Sequence, residues 1–312
     1  METVFSLGGA TGPLLGLIAL CLFLTVATDS FFSARNFLNI FDQISVIGVI
    51  AVGMTFVILI GGIDLSVGSV LALSMMVLGY LNIELGQPMY IAIAGALLVA
   101  ALTGLVGGLL ITLLNIPPFI GTLAMMSIAR GLANLITNGQ QLIGFPSWFN
   151  MAAIIRYGGV LTLTVAIMLI VFALAWVFQR YRSGGRVLYA IGGNPEVARL
   201  AGINVKRATT LVYVCSAFLS GVAGLIYAAR LDAVQPSSGI AYELDAIAAV
   251  VIGGTSLSGG TGGVGGTIIG VLIIGVLRNG LNLLQVSPFI QQLIIGIVIV
   301  IAVAAEALRR YK

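Results

Sequence analysis

Few side chains in this sequence could do chemistry, and their absences narrow the field. It has no histidine, only two lysines (Lys206 and Lys312), two cysteines and ten acids. Without histidine, an imidazole base, a Ser-His-Asp relay and a histidine metal site are excluded. A phosphate-binding loop requires Gly-x-x-x-x-Gly-Lys-Ser/Thr, because its lysine meets the β/γ-phosphates and its hydroxyl meets magnesium. Lys206 is followed by Arg207 and Lys312 by nothing, so no such ATP site is present. Cys21 and Cys215 lie in apolar runs and read as small buried hydrophobes rather than disulfide partners.

Three ionisable residues sit deepest in apolar sequence: Asp64, Arg130 and Arg278. Each costs about 2.5–3.5 kcal/mol at the centre of a membrane helix, so each should find a partner or water. Asp64 lies in the run Gly61-Gly62-Ile63-Asp64-Leu65-Ser66. It could be a pathway or gate residue, or a carboxylate capping the next helix through Ser66 and nearby amides. Arg130 suits an inter-helix anchor or a substrate contact. Glu243 and Asp245 open a short apolar segment and match the positive end of its dipole. Thr255, Ser256, Ser258, Asn279 and Asn282 could line a pathway with uncharged hydrogen-bonding groups, although small polar residues also serve helix packing.

These residues are carried by an unusual composition. Of 312 residues, 60% are hydrophobic and 8% charged, with mean hydropathy +1.16; soluble chains carry about 25% charged residues. The expected fold is an all-α polytopic membrane protein, one transmembrane domain over residues 1–312. A crossing needs about 20 apolar residues. Spans are expected near 12–28, 43–60, 65–83, 89–114, 117–137, 158–179, 208–229, 242–258, 264–285 and 288–306. The first reads as a retained span, since nothing basic precedes it to make a signal peptide. Arg180, Arg182, Arg186, Arg199, Lys206 and Arg207 crowd the connection 180–207, and Arg309, Arg310 and Lys312 follow the last span. The positive-inside rule puts both regions in the cytoplasm. An even number of crossings must separate them, so the short apolar piece at 242–254 counts, giving about ten helices with both termini cytoplasmic.

That piece measures only about 20 Å as a helix, and a glycine-rich run from Gly253 to Gly266 follows it. Such backbone cannot face lipid and is tolerated only against protein or a water-filled cavity. Short, glycine-interrupted segments point to a transport pathway. The run Ile60–Gly68 agrees with Ile252–Gly260 at six of nine positions, at a constant offset of 192. That agreement is compatible with an internal duplication.

The basic connection spells a short helix, Pro195–Ala201. Asn194 suits its N-cap, Pro195 the first helical position, Glu196 the positive dipole end and Gly202 the C′ position. Isolated helices of about two turns are unstable in water, so packing must complete this one. It is either a local cap on the protein's own face or a knob for a soluble partner.

Four stretches carry a family resemblance: GMTFVILIGGIDLSVGS at 53–69, PPFIGTLAMMSIARGLA at 117–133, GRVLYAIGGNPEVARLAGINVKR at 185–207, and ARLDAVQPSSGIAYELDAIAAVVIGGTSLSGG at 229–260. From about Phe31 onward the chain resembles the permease subunits of bacterial ATP-binding-cassette importers for ribose and related monosaccharides, within the branched-chain amino acid/ribose permease superfamily. The resemblance implies a ten-helix permease in the bacterial inner membrane, paired with a second copy or a paralogue around one pathway. It makes the short helix a coupling helix, with Asn194, Pro195, Glu196, Arg199, Leu200 and Gly202 meeting a cytoplasmic ATPase subunit that binds ATP and magnesium. It adds a periplasmic or lipid-anchored sugar-binding protein, for which Glu243 and Asp245 are the expected docking residues. This chain departs from the pattern in a short N-terminus without basic residues, a trimmed outer loop near 138–157, and Arg278 where a neutral residue is expected.

The sequence thus points to the membrane subunit of an importer for a neutral monosaccharide, not an enzyme, with gate residues around Gly61, Gly62, Asp64 and Ser66. The alternative is an ion-gradient-driven transporter of a small neutral solute. A membrane enzyme has no constellation in its favour.

Overall fold

The computed structural model describes residues 11–310, with side chains through residue 304. Glu2, Lys312 and the side chains of Arg309 and Arg310 lie outside the described residues. The helices are α1 (Thr11–Ala27), α2 (Ala34–Leu59), α3 (Val67–Gly79, continued by a π-helical turn Tyr80–Glu84), α4 (Met89–Leu113), α5 (Pro118–Thr137), α6 (Ser147–Ile154), α7 (Leu163–Tyr181), α8 (Ser183–Gly193), α9 (Pro195–Leu200), α10 (Val205–Leu231), α11 (Tyr242–Ile252), α12 (Val264–Leu283) and α13 (Pro288–Arg310). A two-residue ladder pairs β1 (Leu142–Ile143) antiparallel with β2 (Ala233–Val234). Among the described residues, seven helices are long and apolar enough to cross a membrane: α2, α3 with its π turn, α4, α5, α7, α10 and α12. The described parts of α1 and α13 are apolar but shorter. The protein is an all-α polytopic membrane protein.

Helix α2 forms the axis of the bundle. It begins at Ala34 because Ser33 adopts extended backbone and its hydroxyl accepts the Asn36 N–H at 3.3 Å. The polar turns that follow hide that start from a hydropathy scan, which sees a span only from about residue 43. From Ile44 to Leu59 every residue of α2 is buried, as expected of a helix that is apolar on all sides. Helices α7, α10, α11 and α12 pack around it. Two polar links tie α2 to α12: Asn36 and Asn279 exchange amide hydrogen bonds at 3.0 and 2.9 Å, and Thr55 bonds Thr267 at 2.7 Å. Small residues elsewhere let backbones approach. A Cβ added at Gly270 of α12 would lie 1.7 Å from the Ala249 carbonyl of α11.

Large apolar side chains such as Leu98, Leu102, Phe119, Leu135, Ile170 and Leu174 remain exposed on α4, α5 and α7. Exposed apolar faces of this kind suit a lipid environment. Helices α8 and α9 lie at the end that carries the arginine cluster, the basic end. The other end is clasped through Asp42 of α2. Its carboxylate pairs with Arg156 at 2.5 Å and accepts the Thr162 hydroxyl at 2.8 Å, while its carbonyl accepts from Arg230 of α10 at 2.5 Å.

Candidate functional site

The two glycine breaks share one helix ending. At the end of α2, Gly61 has φ +78°, its N–H bonds the Ile58 carbonyl at 2.9 Å, and the Gly62 N–H bonds the Val57 carbonyl at 2.9 Å. At the end of α11, Gly254 has φ +89°, its N–H bonds the Val251 carbonyl at 2.9 Å, and the Thr255 N–H bonds the Val250 carbonyl at 3.1 Å. Each is a Schellman ending, whose C′ residue adopts the left-handed backbone that glycine tolerates best. The equivalent residues stand 193 apart, not 192. Helix α11 takes one further residue, Gly253, into its last turn before the backbone reverses.

Past its break the first segment runs through Ile63–Ser66 into α3. Asp64 is 2% exposed. One carboxylate oxygen accepts the Ser66 N–H at 3.0 Å and hydroxyl at 2.6 Å, and the other accepts the Ser216 hydroxyl of α10 at 2.9 Å. Among the described residues Asp64 forms no ion pair; neutral donors satisfy it. The Thr122 hydroxyl of α5 donates to the Ile63 carbonyl at 3.1 Å. The Tyr213 hydroxyl is buried without a hydrogen-bond partner and lies 2.4 Å from where a Cβ on Gly62 would be. The second segment folds on itself: the Ser256 N–H bonds the Thr261 carbonyl at 3.2 Å, and buried Thr255 accepts the Gly263 N–H at 3.2 Å. The Ser256 hydroxyl accepts the Ser258 N–H at 3.3 Å.

The breaks touch at the basic end, and α8 closes on the contact. The Gly260 N–H donates to the Leu59 carbonyl at 2.9 Å. A Cβ on Gly192, in the last turn of α8, would lie 1.9 Å from that carbonyl oxygen and 2.4 Å from the Gly260 nitrogen. Three backbones therefore meet with no room for a side chain. Beside them the Tyr189 hydroxyl donates to the Gly262 carbonyl at 2.7 Å and accepts from the Gln179 amide at 2.5 Å. Gln179 in turn accepts the Val264 N–H, the first of α12, at 3.0 Å. Burial pushes the Tyr189 phenol above its ordinary pKa, with the Gln179 bond acting the other way.

Helix α9 continues directly from α8. Asn194 accepts the N–H groups of Glu196 and Val197 at 3.0 and 3.1 Å. Gly202 has φ +86°, and the bonds from Gly202 to Arg199 and from Ile203 to Ala198 complete a Schellman ending after Leu200 and Ala201. Ala198 is buried, whereas Val197 and Leu200 are 60% and 80% exposed. Glu196 and Arg199 form an exposed pair at 2.8 Å, whose contribution to stability is small.

Of the remaining site residues, Glu243 reaches the start of α3 just past the first break, whereas Arg130, Asp245, Asn279 and Asn282 make their contacts away from the breaks. Arg130 of α5 donates to the carbonyls of Pro236 and Ser238, tethering the segment before α11. Glu243 is half-buried, its carboxylate 2.6 Å from where a Cβ on Gly68 would be. Asp245, expected beside it at a docking surface, is 2% exposed and turned inward to Arg278 of α12 at 2.5 Å. Asn279 uses its amide on Asn36. Asn282 accepts from Gln291 of α13 at 2.8 Å.

Sequence reasoning overlooked α8, Gly192, Tyr189, Gln179 and Ser216. The one available signal was the pair Gly192-Gly193 directly after an apolar turn. Among the described residues no three acidic or cysteine side chains gather to hold a metal ion.

Broken helices enclosed by a lipid-facing bundle, and joined to a capped surface elbow, are the working parts of a transport permease. Comparison with known proteins places the molecule more narrowly: the chain belongs to the branched-chain amino acid transport system / permease component family, whose model matches residues 36–303. It is 46% identical over 296 residues to the ribose import permease protein RbsC of Haemophilus influenzae (94% of this chain, 91% of that one). It is also 46% identical to RbsC of Bacillus subtilis (95% and 92%) and 35% identical to the fructose import permease protein FrcC of Rhizobium meliloti (95% and 85%). No solved structure matches the chain.

Proposed function

We propose that this chain is the membrane subunit of an ATP-driven importer of a neutral monosaccharide of the ribose class, with ATP and magnesium bound by a separate cytoplasmic ATPase. The names of its relatives support the substrate class, and the observation that carries the mechanism is α9. Its caps are complete, yet Val197 and Leu200 project from it uncovered, and it continues from the α8 turn that touches both breaks. In this reading the ATPase receives those two side chains. ATPase closure moves α9 and α8 as one elbow, and Gly192 and Tyr189 carry the motion to the ends of α2 and α11. The pathway opens and closes through the segments after Gly61 and Gly254, so no covalent chemistry is needed here.

The arginine cluster around α8 and α9 puts that end in the cytoplasm. With α1, α11 and α13 each counted as crossings, ten spans leave both termini there. The exposed apolar faces suit lipid and a second permease copy or paralogue, and an external sugar-binding protein delivers the solute at the opposite end. Proteoliposomes test the reading directly. Ribose-class uptake should require the ATPase subunit and ATP, and Leu200→Asp should weaken ATPase capture without changing insertion. Uptake driven by a proton or sodium gradient without the ATPase would refute it.

A further inference from the structure

Toward the end opposite α9, a cavity of about 230 Å³ opens between α2, α10, α11, α12 and α13. Membrane-protein interiors are expected to be closely packed and apolar, and ionisable groups within them mark solute or ion routes. This cavity has a mixed lining. Asp245, Arg278, Tyr227, Tyr242, Asn282 and Gln291 contribute to it, and Ile44, Ile47 and Ile274 form an apolar wall.

The polar groups are arranged for a solute rather than only for each other. Arg278 donates through one terminal nitrogen to Asp245 at 2.5 Å, while its Nε is buried without a partner. Asn282 and Gln291 share one bond at 2.8 Å, leaving the Asn282 amino group as a donor and the Gln291 carbonyl as an acceptor for a solute. The rings of Tyr227 and Tyr242 stand edge-to-face at 5.9 Å. Gln43 and Asn282 are exposed and border the mouth.

This pattern selects among solutes. Asp245 and Arg278 neutralise each other, so a charged solute gains no net opposite charge from that pair. Arg230, which also lines the cavity, is held on the Asp42 carbonyl at 2.5 Å beside the Asp42 carboxylate. A zwitterionic branched-chain amino acid would have to split the Asp245–Arg278 pair to seat its own two charges. A sugar brings hydroxyls that both donate and accept, which suits planar amide, carboxylate and guanidinium edges, and its C–H face suits an aromatic or aliphatic wall. Resting on the monosaccharide-importer reading, we propose that this cavity is a binding station inside the permease, where one neutral monosaccharide is held by Asp245, Arg278, Asn282 and Gln291 against Tyr227 and Tyr242. The permease then reads its solute itself, in addition to any external binding protein.

Protection of an engineered thiol tests this. The Asn282→Cys and Gln43→Cys chains, in lipid nanodiscs, are treated with a methanethiosulfonate reagent, and modification is followed by mass spectrometry with Cys21 and Cys215 as internal references. D-Ribose at twice its Kd should slow modification of Gln43→Cys about threefold, since protection scales as 1 + [L]/Kd. Asn282→Cys, which loses a sugar-holding amide, should need a higher ribose concentration for the same protection. Leucine at the same concentration should leave the rate unchanged. Protection by leucine but not by ribose, fructose or xylose would overturn the assignment. So would no protection by any sugar in both chains while the wild-type complex imports ribose, a result that leaves the importer reading standing. If the complex imports no monosaccharide, the importer reading falls and the station with it.

Discussion

The meeting of three backbones at Gly192 makes a sharp contrast between neighbouring residues. An alanine at 192 puts its Cβ 1.9 Å from the Leu59 carbonyl oxygen and 2.4 Å from the Gly260 nitrogen, and neither obstacle is a flexible side-chain tip. The elements must separate by about 1 Å to reach even a tight contact. Such overpacking costs about 1–3 kcal/mol, and separation also strains the 2.9 Å Gly260–Leu59 bond, whose loss leaves a buried carbonyl unsatisfied at about 1–3 kcal/mol. Gly192→Ala should therefore destabilise by about 2–6 kcal/mol or hold α8 off the breaks. Gly193, one residue on, has nothing within 4 Å of its Cβ position and no positive φ, so Gly193→Ala should gain about 0.5–1 kcal/mol of helix stability. Thermal unfolding in nanodiscs, with ATP-dependent uptake in proteoliposomes, reads both effects. The expected result is a lower melting temperature and reduced uptake for Gly192→Ala alone. Two variants of equal stability and equal transport would refute the backbone junction.

Other outcomes follow from the same geometry. Tyr189→Phe removes a bond to Gly262 and an acceptor for Gln179, and should cost about 1–3 kcal/mol; combined with Gln179→Leu in a double-mutant cycle, the losses should fall short of additive. Asp64→Asn keeps an acceptor for Ser66 and should retain most uptake, whereas Asp64→Leu strands the Ser66 and Ser216 hydroxyls and should abolish it while the chain still inserts. Gly61→Ala places a Cβ in left-handed backbone at about 1–2 kcal/mol, measurable as faster proteolysis at the end of α2.

The legible parts of the molecule were those written in local chemistry. Asn194, Pro195 and Gly202 announce α9 because caps and C′ glycines act within a turn of themselves. The breaks at Gly61 and Gly254 were visible because glycine clusters cannot face lipid. Helix α8 was hidden: SGGRVLYAIGG reads as a glycine-bounded linker, and its helix is fixed by burying Leu188 and Ile191 against the bundle. Asp245 and Arg278 were each conspicuous, but their pairing depends on how α11 crosses α12, which no spacing reveals. Asn279 looked like a pathway amide until Asn36 appeared 243 residues away. Tertiary approach, rather than propensity, separates these cases.

The burial of α2 also bears on biogenesis. Its neighbours α7, α10, α11 and α12 all follow it in the chain, so during synthesis α2 emerges long before anything can enclose it. Its apolar residues can wait in the bilayer, but Asn36 and Thr55 lack their partners on α12 until that helix arrives. A nascent chain stalled before α12 lacks Thr267 and Asn279 and cannot complete that enclosure. Quality control in the membrane thus has definite groups to recognise, the uncovered Asn36 amide and Thr55 hydroxyl of α2, and they are covered only once the last third of the protein has been made.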